Sequence, residues 1–217
     1  MALAYYLPKW FFSYDVILEL AFAIILFLVA FLAFRIYRIT GHKPTRLLGM
    51  GFLFISLSNF LESILNFLMI AKTDYGAFEN LSLPLLNYLS VNSYLIFTIL
   101  GLATLLYMSF KTEKTRILGF LILISLLFVF LSKDPVYYFY ILATIYLIFI
   151  SSFFIKAYLK NRKFDAFLIA LAFVFLLMDR ALFLFLFDRE LSYVLGHFPE
   201  LIAYLLILLN FYIIRKK

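Results

Sequence analysis

Residues 164–187, FDAFLIALAFVFLLMDRALFLFLF, form an apolar run that carries Asp179 and Arg180 deep inside it. A helix needs roughly 20 apolar residues to cross the hydrocarbon core of a bilayer. A charged side chain near the middle of such a helix costs about 2.5 to 3.5 kcal/mol, so it usually faces a cavity or a partner group. The adjacent pair therefore predicts a membrane-spanning helix whose charged side chains face the inside of a helical bundle.

The rest of the chain has the same apolar character, with 66% hydrophobic and 14% charged residues, which is unlike any ordinary soluble domain. We predict one all-α domain over residues 1–217, a polytopic bundle of seven transmembrane helices. The predicted spans are residues 14–35, 47–71, 81–110, 117–131, 136–155, 164–187 and 191–214. These spans use up the 217 residues and leave no room for an extramembrane catalytic domain, so an enzyme is not expected. Cysteine is absent, which excludes disulfides and thiolate metal sites.

The orientation is predicted from the charges between the spans, because cytoplasmic loops collect lysine and arginine. Most basic residues fall on one side of the seven spans: Arg35, Arg38, Lys43, Arg46, Lys111, Lys114, Arg116, Lys156, Lys160, Arg162, Lys163, Arg215, Lys216 and Lys217. The other side holds Lys9, Lys72, Lys133 and Arg189, together with most acids, among which Asp15 and Glu19 are counted. We therefore expect a multi-pass protein of the cell membrane, with its N-terminus outside and its C-terminus in the cytoplasm. The net charge of +7 is explained by this topology and by contact with the lipid bilayer, and no nucleic acid partner is expected.

Five ionisable residues fall at similar depth in the outer half of this bundle. At 1.5 Å per residue, Glu62 and Glu200 lie about 13 Å from the outer helix ends, Asp179 about 12 Å, Arg180 about 10 Å and His197 about 9 Å. They belong to the second, sixth and seventh spans, so their common depth does not follow from closeness in sequence. The agreement predicts that they meet.

Helical spacing places further polar residues on the same faces, since offsets of three, four and seven residues return to one side of a helix. The polar stripes are Ser56, Asn59, Glu62, Ser63 and Asn66 in the second span, Asn87, Tyr94, Thr98 and Gly101 in the third, and Tyr193, His197, Glu200 and Tyr204 in the seventh. Such stripes must face protein or water instead of lipid. We predict that the second, third, sixth and seventh spans enclose an outward-facing polar pocket. The predicted ligand-binding residues are Glu62, Asn59, Asn66, Asn87, Asp179, Arg180, His197 and Glu200.

Structural explanations of these residues stay open at this stage. Arg180 is suited to neutralise a neighbouring carboxylate and hold the helices in register. Glu62 is suited to an interhelical hydrogen bond as a neutral acid. A metal site built on His197 and Glu200 is conceivable, but hydrogen-bond networks use the same residue types, so no metal or cofactor is predicted. Retinal is excluded because the seventh span contains no lysine for a Schiff base.

Two segments carry a family resemblance. Residues 51–64 (GFLFISLSNFLESI) and 197–209 (HFPELIAYLLILL) resemble spans of prokaryotic seven-helix sensory membrane domains, which often stand in front of histidine kinase or cyclase modules. The resemblance implies that a ligand or signal is perceived in the membrane and passed inward through the seventh span. Only three residues follow Ile214. We therefore expect either that a separate membrane or cytoplasmic partner protein receives the signal, or that the chain is part of a longer protein.

The polar pocket is compatible with three functions. The first is a sensor or receptor-like membrane protein that binds a small polar ligand, a cation or a proton. The second is a small-solute or proton-coupled transporter with three-plus-one-plus-three repeats, in which Glu62 corresponds to Asp179. The third is a structural subunit of a membrane complex. The inner half of the sixth span, residues 167–175, is almost wholly apolar, which disfavours a transport path.

Overall fold

The computed structural model describes residues 11–75, 78, 82–110, 112, 114–185 and 190–216, with only the backbone described at 74, 75, 185, 190–193, 215 and 216. These residues form seven α-helices and no strand: α1 (Phe12–Thr40), α2 (Lys43–Tyr75), α3 (Leu83–Ser109), α4 (Thr115–Phe130), α5 (Pro135–Asn161), α6 (Phe164–Phe185) and α7 (Glu190–Lys216). The all-helical prediction is confirmed. The side chain of Tyr193 and the loop residues Lys9, Lys111, Arg189 and Lys217 lie outside the described part, so predictions resting on them stay predictions.

Local signals set several helix ends. Ser82 caps α3 by accepting the backbone N–H of Leu85, and Asp134 caps α5 by accepting that of Tyr137. Each of these two helices also has a proline in its first turn, where a missing N–H has no cost. Gly41 ends α1 in the left-handed conformation, with φ of 66°, which glycine adopts without strain.

Helices α1, α5 and α7 extend beyond their predicted spans at the ends that carry basic residues. The physical reason is that the bilayer limits only the apolar part of a helix. Lysine and arginine side chains let the helix continue into the headgroup region, because their aliphatic stems stay in apolar surroundings while their charges reach water.

Serine side chains show that neighbouring helices run antiparallel. Ser63 of α2 donates a hydrogen bond to the carbonyl oxygen of Val16 at 2.9 Å, and Ser56 donates to that of Ala23 at 2.7 Å. As residue numbers rise in α1, they fall in the contacting part of α2. The same reversal is seen between α2 and α3, where Ser58 contacts Tyr94 and Asn66 contacts Ser90. Between α5 and α6, Ser151 contacts Phe173 and Tyr140 contacts Phe183. Between α6 and α7, Arg180 contacts Glu200 and Asp165 contacts Asn210.

Helix α4 completes the alternation although it is short. Its 16 residues rise about 24 Å, against a hydrocarbon core of about 30 Å. Its Ser125 hydroxyl lies 2.5 Å from the Tyr146 hydroxyl, and its Phe128 ring contacts Tyr138, so α4 runs antiparallel to α5. The helices therefore alternate up and down, and the start of α1 and the end of α7 lie at opposite ends of the bundle.

The six other helices are each long and apolar enough to cross a membrane. Their outward faces carry large apolar side chains, such as Ile17 on α1, which is 65% exposed. Such a surface is suited to lipid. The protein is a multi-pass membrane protein, and its orientation relative to the two sides of the membrane stays a prediction.

Glycines bring α2 and α3 into close contact. A Cβ atom added at Gly51 would lie 2.6 Å from the Leu105 side chain, and one added at Gly101 would lie 2.8 Å from the carbonyl oxygen of Gly51. Small residues are typical of such close helix contacts in membranes. This contact lies below the polar stripe of α2, in the apolar half of the bundle.

Candidate functional site

All acidic and basic side chains that are buried among the described residues lie in one cluster. We call it the charged cluster: Asp15, Glu19, Glu62, Asp179, Arg180, His197 and Glu200. The helices α1, α2, α6 and α7 contribute these side chains at a similar level, towards the end of the bundle where α1 begins. Five carboxyl groups thus face one guanidinium and one imidazole, in surroundings that exclude most water.

Arg180 is the centre of one part of the cluster. Its guanidinium contacts Glu200 Oε1 at 2.9 Å and Asp179 Oδ2 at 3.1 Å, and it donates a hydrogen bond to the Tyr94 hydroxyl at 2.6 Å. Tyr204, one turn after Glu200, donates its hydroxyl hydrogen to the same carboxylate oxygen at 2.6 Å. A buried charge is tolerated when its partners satisfy it in this way, and these contacts join α3, α6 and α7.

His197 extends this part of the cluster to α1. Its Nε2 lies 3.0 Å from Asp15 Oδ1, and its Nδ1 lies 3.7 Å from Glu200 Oε2. The imidazole also stacks on the Phe11 ring, with centroids 5.7 Å apart, which holds the ring plane. The histidine therefore connects a carboxylate of the first helix to one of the seventh.

A second part of the cluster lies between α1, α2 and α3 and contains no basic group. The amide of Asn66 donates to both carboxyl oxygens of Glu19, at 3.3 and 3.2 Å. Ser90 donates to the amide oxygen of Asn66 at 3.2 Å, which turns the NH2 group towards Glu19. Glu19 is therefore held by a neutral donor instead of a cation, and its carboxyl group also lies within hydrogen-bonding reach of the Asp15 carboxyl group.

Glu62 lies between the two parts and differs from the other carboxyl groups. Its side chain is only 6% exposed, yet it accepts no hydrogen bond and forms no ion pair with another described residue. The neighbouring Asn59, 4% exposed, has an amide nitrogen with no hydrogen-bond acceptor in the described part of the chain. Buried polar groups are satisfied in most native structures, so Glu62 and Asn59 together form a place that suits a further polar group.

Both groups line a cavity inside the bundle. The other lining residues are Glu19, Phe22, Tyr94, Tyr140, Arg180, Phe183, His197 and Glu200. The volume of this cavity is about 20 Å³. That is enough for one water or a small ion, because one water needs about 10 to 15 Å³ by this measure.

Below the charged cluster the bundle is filled by aromatic and aliphatic side chains. The Phe173 ring stacks on Phe154 at a centroid distance of 4.7 Å and on Phe52 at 6.2 Å, and Phe52 and Phe173 are fully buried. We call these three rings the phenylalanine stack. It occupies the middle of the space between α2, α5 and α6.

The structure brings together most of the residues predicted from the sequence. Asn59, Glu62, Arg180, His197 and Glu200 line the cavity, while Asp179 and Asn66 each contact a lining residue. Their role in binding a ligand stays a prediction.

Asn87 is a predicted residue that lies apart from this cavity, and its role in binding stays a prediction. Asn87 is half-buried and does not line the cavity. It shares a stripe with Tyr94, but seven residues of helix rise about 10 Å, so Asn87 lies well above the cavity.

Helix α1 was missing from the predicted pocket. Asp15 and Glu19 were counted as acids of the outer side, but they are buried inside the cluster, with 0% and 4% exposure. The signal was present in the sequence. Asp15 and Glu19 are four residues apart and share a helix face with the buried residues Phe22, Ala23 and Leu26.

Neither a search for metal ligands nor the comparison with known proteins adds to this description. Within the described residues, no three histidine, aspartate or glutamate side chains are arranged so that they could hold a metal ion. No protein-family model, curated protein or solved structure matches the chain. The resemblance to sensory membrane domains stays a prediction.

Proposed function

We propose that this protein is a sensory-type domain of the cell membrane whose charged cluster binds a proton or a small cation. In this proposal the end of the bundle with the cluster faces the outside, in agreement with the distribution of lysine and arginine. Binding changes the charge of the cluster, and α7 carries the change towards the opposite end of the bundle. A separate protein would receive it there.

The observation that carries the proposal is the excess of carboxyl groups. Among the described residues, five buried carboxyl groups face two basic side chains, so in this part of the chain the carboxyl groups outnumber the basic groups by three. An uncompensated buried carboxylate costs many kcal/mol, and proteins avoid that cost by protonation or by binding a cation. The folded cluster therefore has a built-in affinity for positive charge.

The size of the cavity narrows the ligand. A site for a small organic molecule usually encloses some 300 to 1,000 Å³. The cavity beside Glu62 has a volume of about 20 Å³, which is room for about one water molecule. A proton or a bare cation fits this space without rearrangement of the helices.

The phenylalanine stack favours a sensor over a transporter. A carrier needs a polar path that reaches both sides of the membrane. Here the fully buried rings of Phe52 and Phe173 fill the bundle directly below the cluster. The charged cluster is thus separated from the opposite end of the bundle by apolar rings.

Contacts between α1 and α7 offer a route for the signal. His197 touches Asp15 on α1 and Glu200 on its own helix, so both contacts respond to the charge of the cluster. Pro199 lies between His197 and Glu200 in α7, and it removes one backbone hydrogen bond from this helix. A helix weakened at this turn bends more easily when the contacts of His197 change.

The proposal is tested by the stability of the purified protein in detergent between about pH 5 and about pH 8, in sodium, potassium or choline salts. A native state that binds positive charge is stabilised by it, because the unfolded chain binds it less tightly. We expect the melting temperature to fall as the pH rises, or to rise with one of the small cations. Choline is the control cation, since it is too large for the cavity.

Asp134→Asn is the matched control variant, because it removes an acid outside the cluster and keeps the cap of α5. It should retain the full response of the wild type. A wild-type melting temperature that depends on neither pH nor cation would contradict the proposal and leave the cluster with a structural role.

A further inference from the structure

We infer that the bound species is a proton and that Glu62 holds it, beside the carboxyl group of Glu19. This inference rests on the proposed function and assigns its ligand and its binding group. Five carboxyl groups could hold the positive charge in principle. Their partners separate them.

Three of the five carboxyl groups have a basic partner. Arg180 contacts both Asp179 and Glu200, and His197 contacts Asp15. A positive neighbour within hydrogen-bonding distance offsets part of the cost of a buried negative charge. Glu19 and Glu62 are the two that have no such contact among the described residues.

Glu19 differs from Glu62 because it has hydrogen bonds. Its carboxyl oxygens both receive an N–H from Asn66, and N–H donors favour the ionised form of a carboxyl group. Ser90 fixes the orientation of the Asn66 amide group. If this amide turned its oxygen towards Glu19, the hydrogen bond from Ser90 would be lost. Glu19 also lies within hydrogen-bonding reach of the Asp15 carboxyl group, whereas Glu62 has no hydrogen bond or ion pair among the described residues. No donor stabilises a negative charge at Glu62, so Glu62 is the group that takes the proton.

The surroundings of Glu62 suit a proton better than a metal cation. A sodium or calcium ion needs about six oxygen ligands, whereas a proton needs one carboxyl oxygen. No described trio of acidic or histidine side chains forms a metal site, and the guanidinium of Arg180 lines the same cavity and repels a cation. A proton arriving through water bonds to one Oε atom of Glu62 and changes the charge of that carboxyl from minus one to zero.

Every neighbouring helix presents groups that influence this proton. The titratable and charged groups that face Glu62 are Asp15 and Glu19 on α1, Tyr94 on α3, Tyr140 on α5, Arg180 with its partner Asp179 on α6, and His197 and Glu200 on α7. The acids oppose a second negative charge at Glu62, and Arg180 and His197 favour it. Their balance places the exchange of the proton under the control of the same contacts that join α1 to α7.

Infrared difference spectroscopy of the full chain in lipid tests the inference, because a protonated carboxyl group has a C=O stretch that a carboxylate lacks. Spectra at about pH 5 and about pH 8 are compared for the wild type, Glu62→Gln, Glu19→Gln and Asp179→Asn. We expect one protonated-carboxyl band in the wild type that is absent in Glu62→Gln and present in Asp179→Asn. In Glu19→Gln the band should disappear at a lower pH than in the wild type. The reason is that Glu19 opposes a negative charge at Glu62, so its loss makes the proton of Glu62 easier to remove.

Glu62→Asp covers the case in which the glutamine variant does not fold. It keeps an acid in a shifted position, so the frequency of the band should change. A band unaltered in both Glu62 variants and lost in Asp179→Asn would overturn the inference while the proposed function stands. A wild-type spectrum without any protonated-carboxyl band would overturn the inference. The proposed function would then depend on the cation response of the melting temperature.

Discussion

The two halves of this bundle are built from the same helices but are held together in different ways. In one half, charged side chains such as Arg180 and Glu200 meet partners on other helices at 2.9 Å. In the other half, the phenylalanine stack fills the interior, and Phe154 and Phe173 lie almost parallel, at 5°. Lipid is as apolar as these rings, so close packing and single hydrogen bonds, such as the one from Ser151 to the carbonyl oxygen of Phe173, hold the second half together.

The difference predicts where the protein responds to its surroundings. Packing of apolar rings depends little on pH or ions, whereas a buried set of five carboxyl and two basic groups depends on both. One half therefore provides a constant framework, and the other provides the response. Substitutions in the two halves should differ in their pH dependence as well as in their size.

The largest effect is expected for Arg180→Met, which removes the guanidinium and keeps much of the volume. Breaking a buried ion pair by removal of one partner costs about 3 to 5 kcal/mol. The loss should be greater at high pH, where Asp179 and Glu200 are left ionised without their partner. Unfolding by detergent titration measures it, and Arg116→Met is the control, because Arg116 is exposed at the start of α4. A loss below about 0.5 kcal/mol, the size typical of a surface change, would show that the pair is not needed.

Phe173→Ala tests the other half. A cavity on the order of 100 Å³ costs roughly 2 to 3 kcal/mol at about 24 cal/mol per Å³. This loss should be the same at low and high pH, because no charged group contacts the stack. Phe120→Ala, at a ring that is 65% exposed, is the matched control and should have little effect. A strong pH dependence for Phe173→Ala would break the distinction between the two halves.

Asp15→Asn should have an intermediate effect of about 1.5 kcal/mol, because it weakens a hydrogen bond to a charged group without leaving a void. The double variant with His197→Gln measures how far the loss arises from that contact. If the contact of 3.0 Å joins α1 to α7 as described, the two single losses will not add. Strict additivity would contradict the connection.

The smallest effects are expected for two serines. Ser151 donates to the carbonyl oxygen of Phe173, and Ser90 donates to Asn66. Each change to alanine should cost about 0.6 kcal/mol, the average for such bonds in a membrane bundle. Only Ser90→Ala should alter the pH dependence of stability, since Ser90 holds the amide that faces Glu19.

Much of this fold could be predicted because its signals are local. Length and apolarity of each run define the helices, and Ser82 and Asp134 mark the starts of α3 and α5. The cluster was predictable in part, because Glu62 and Glu200 follow helical stripes at similar depth. These signals need no knowledge of which helices touch.

The rest depends on contacts between helices. Asp15 and Glu19 lie near the start of α1, where the residue type alone does not tell whether an acid faces water or a buried cluster. Their spacing places them on one helix face with buried apolar residues, but only the contacts with His197 and Asn66 show that this face belongs to the cluster. Glu62 has no hydrogen-bond or ion-pair partner among the described residues, and this also depends on the position of every neighbour, which a stripe on one helix does not give.

The most direct test compares Glu62→Gln with Glu200→Gln in unfolding free energy at about pH 8. Glutamine removes a charge at both positions, but only Glu200 contacts Arg180. The excess of carboxyl groups predicts that Glu62→Gln leaves stability unchanged or raises it and flattens its pH dependence, whereas Glu200→Gln lowers it by about 3 kcal/mol. Equal losses in the two variants, with an unchanged pH dependence, would contradict the assignment of the bound positive charge to this cluster.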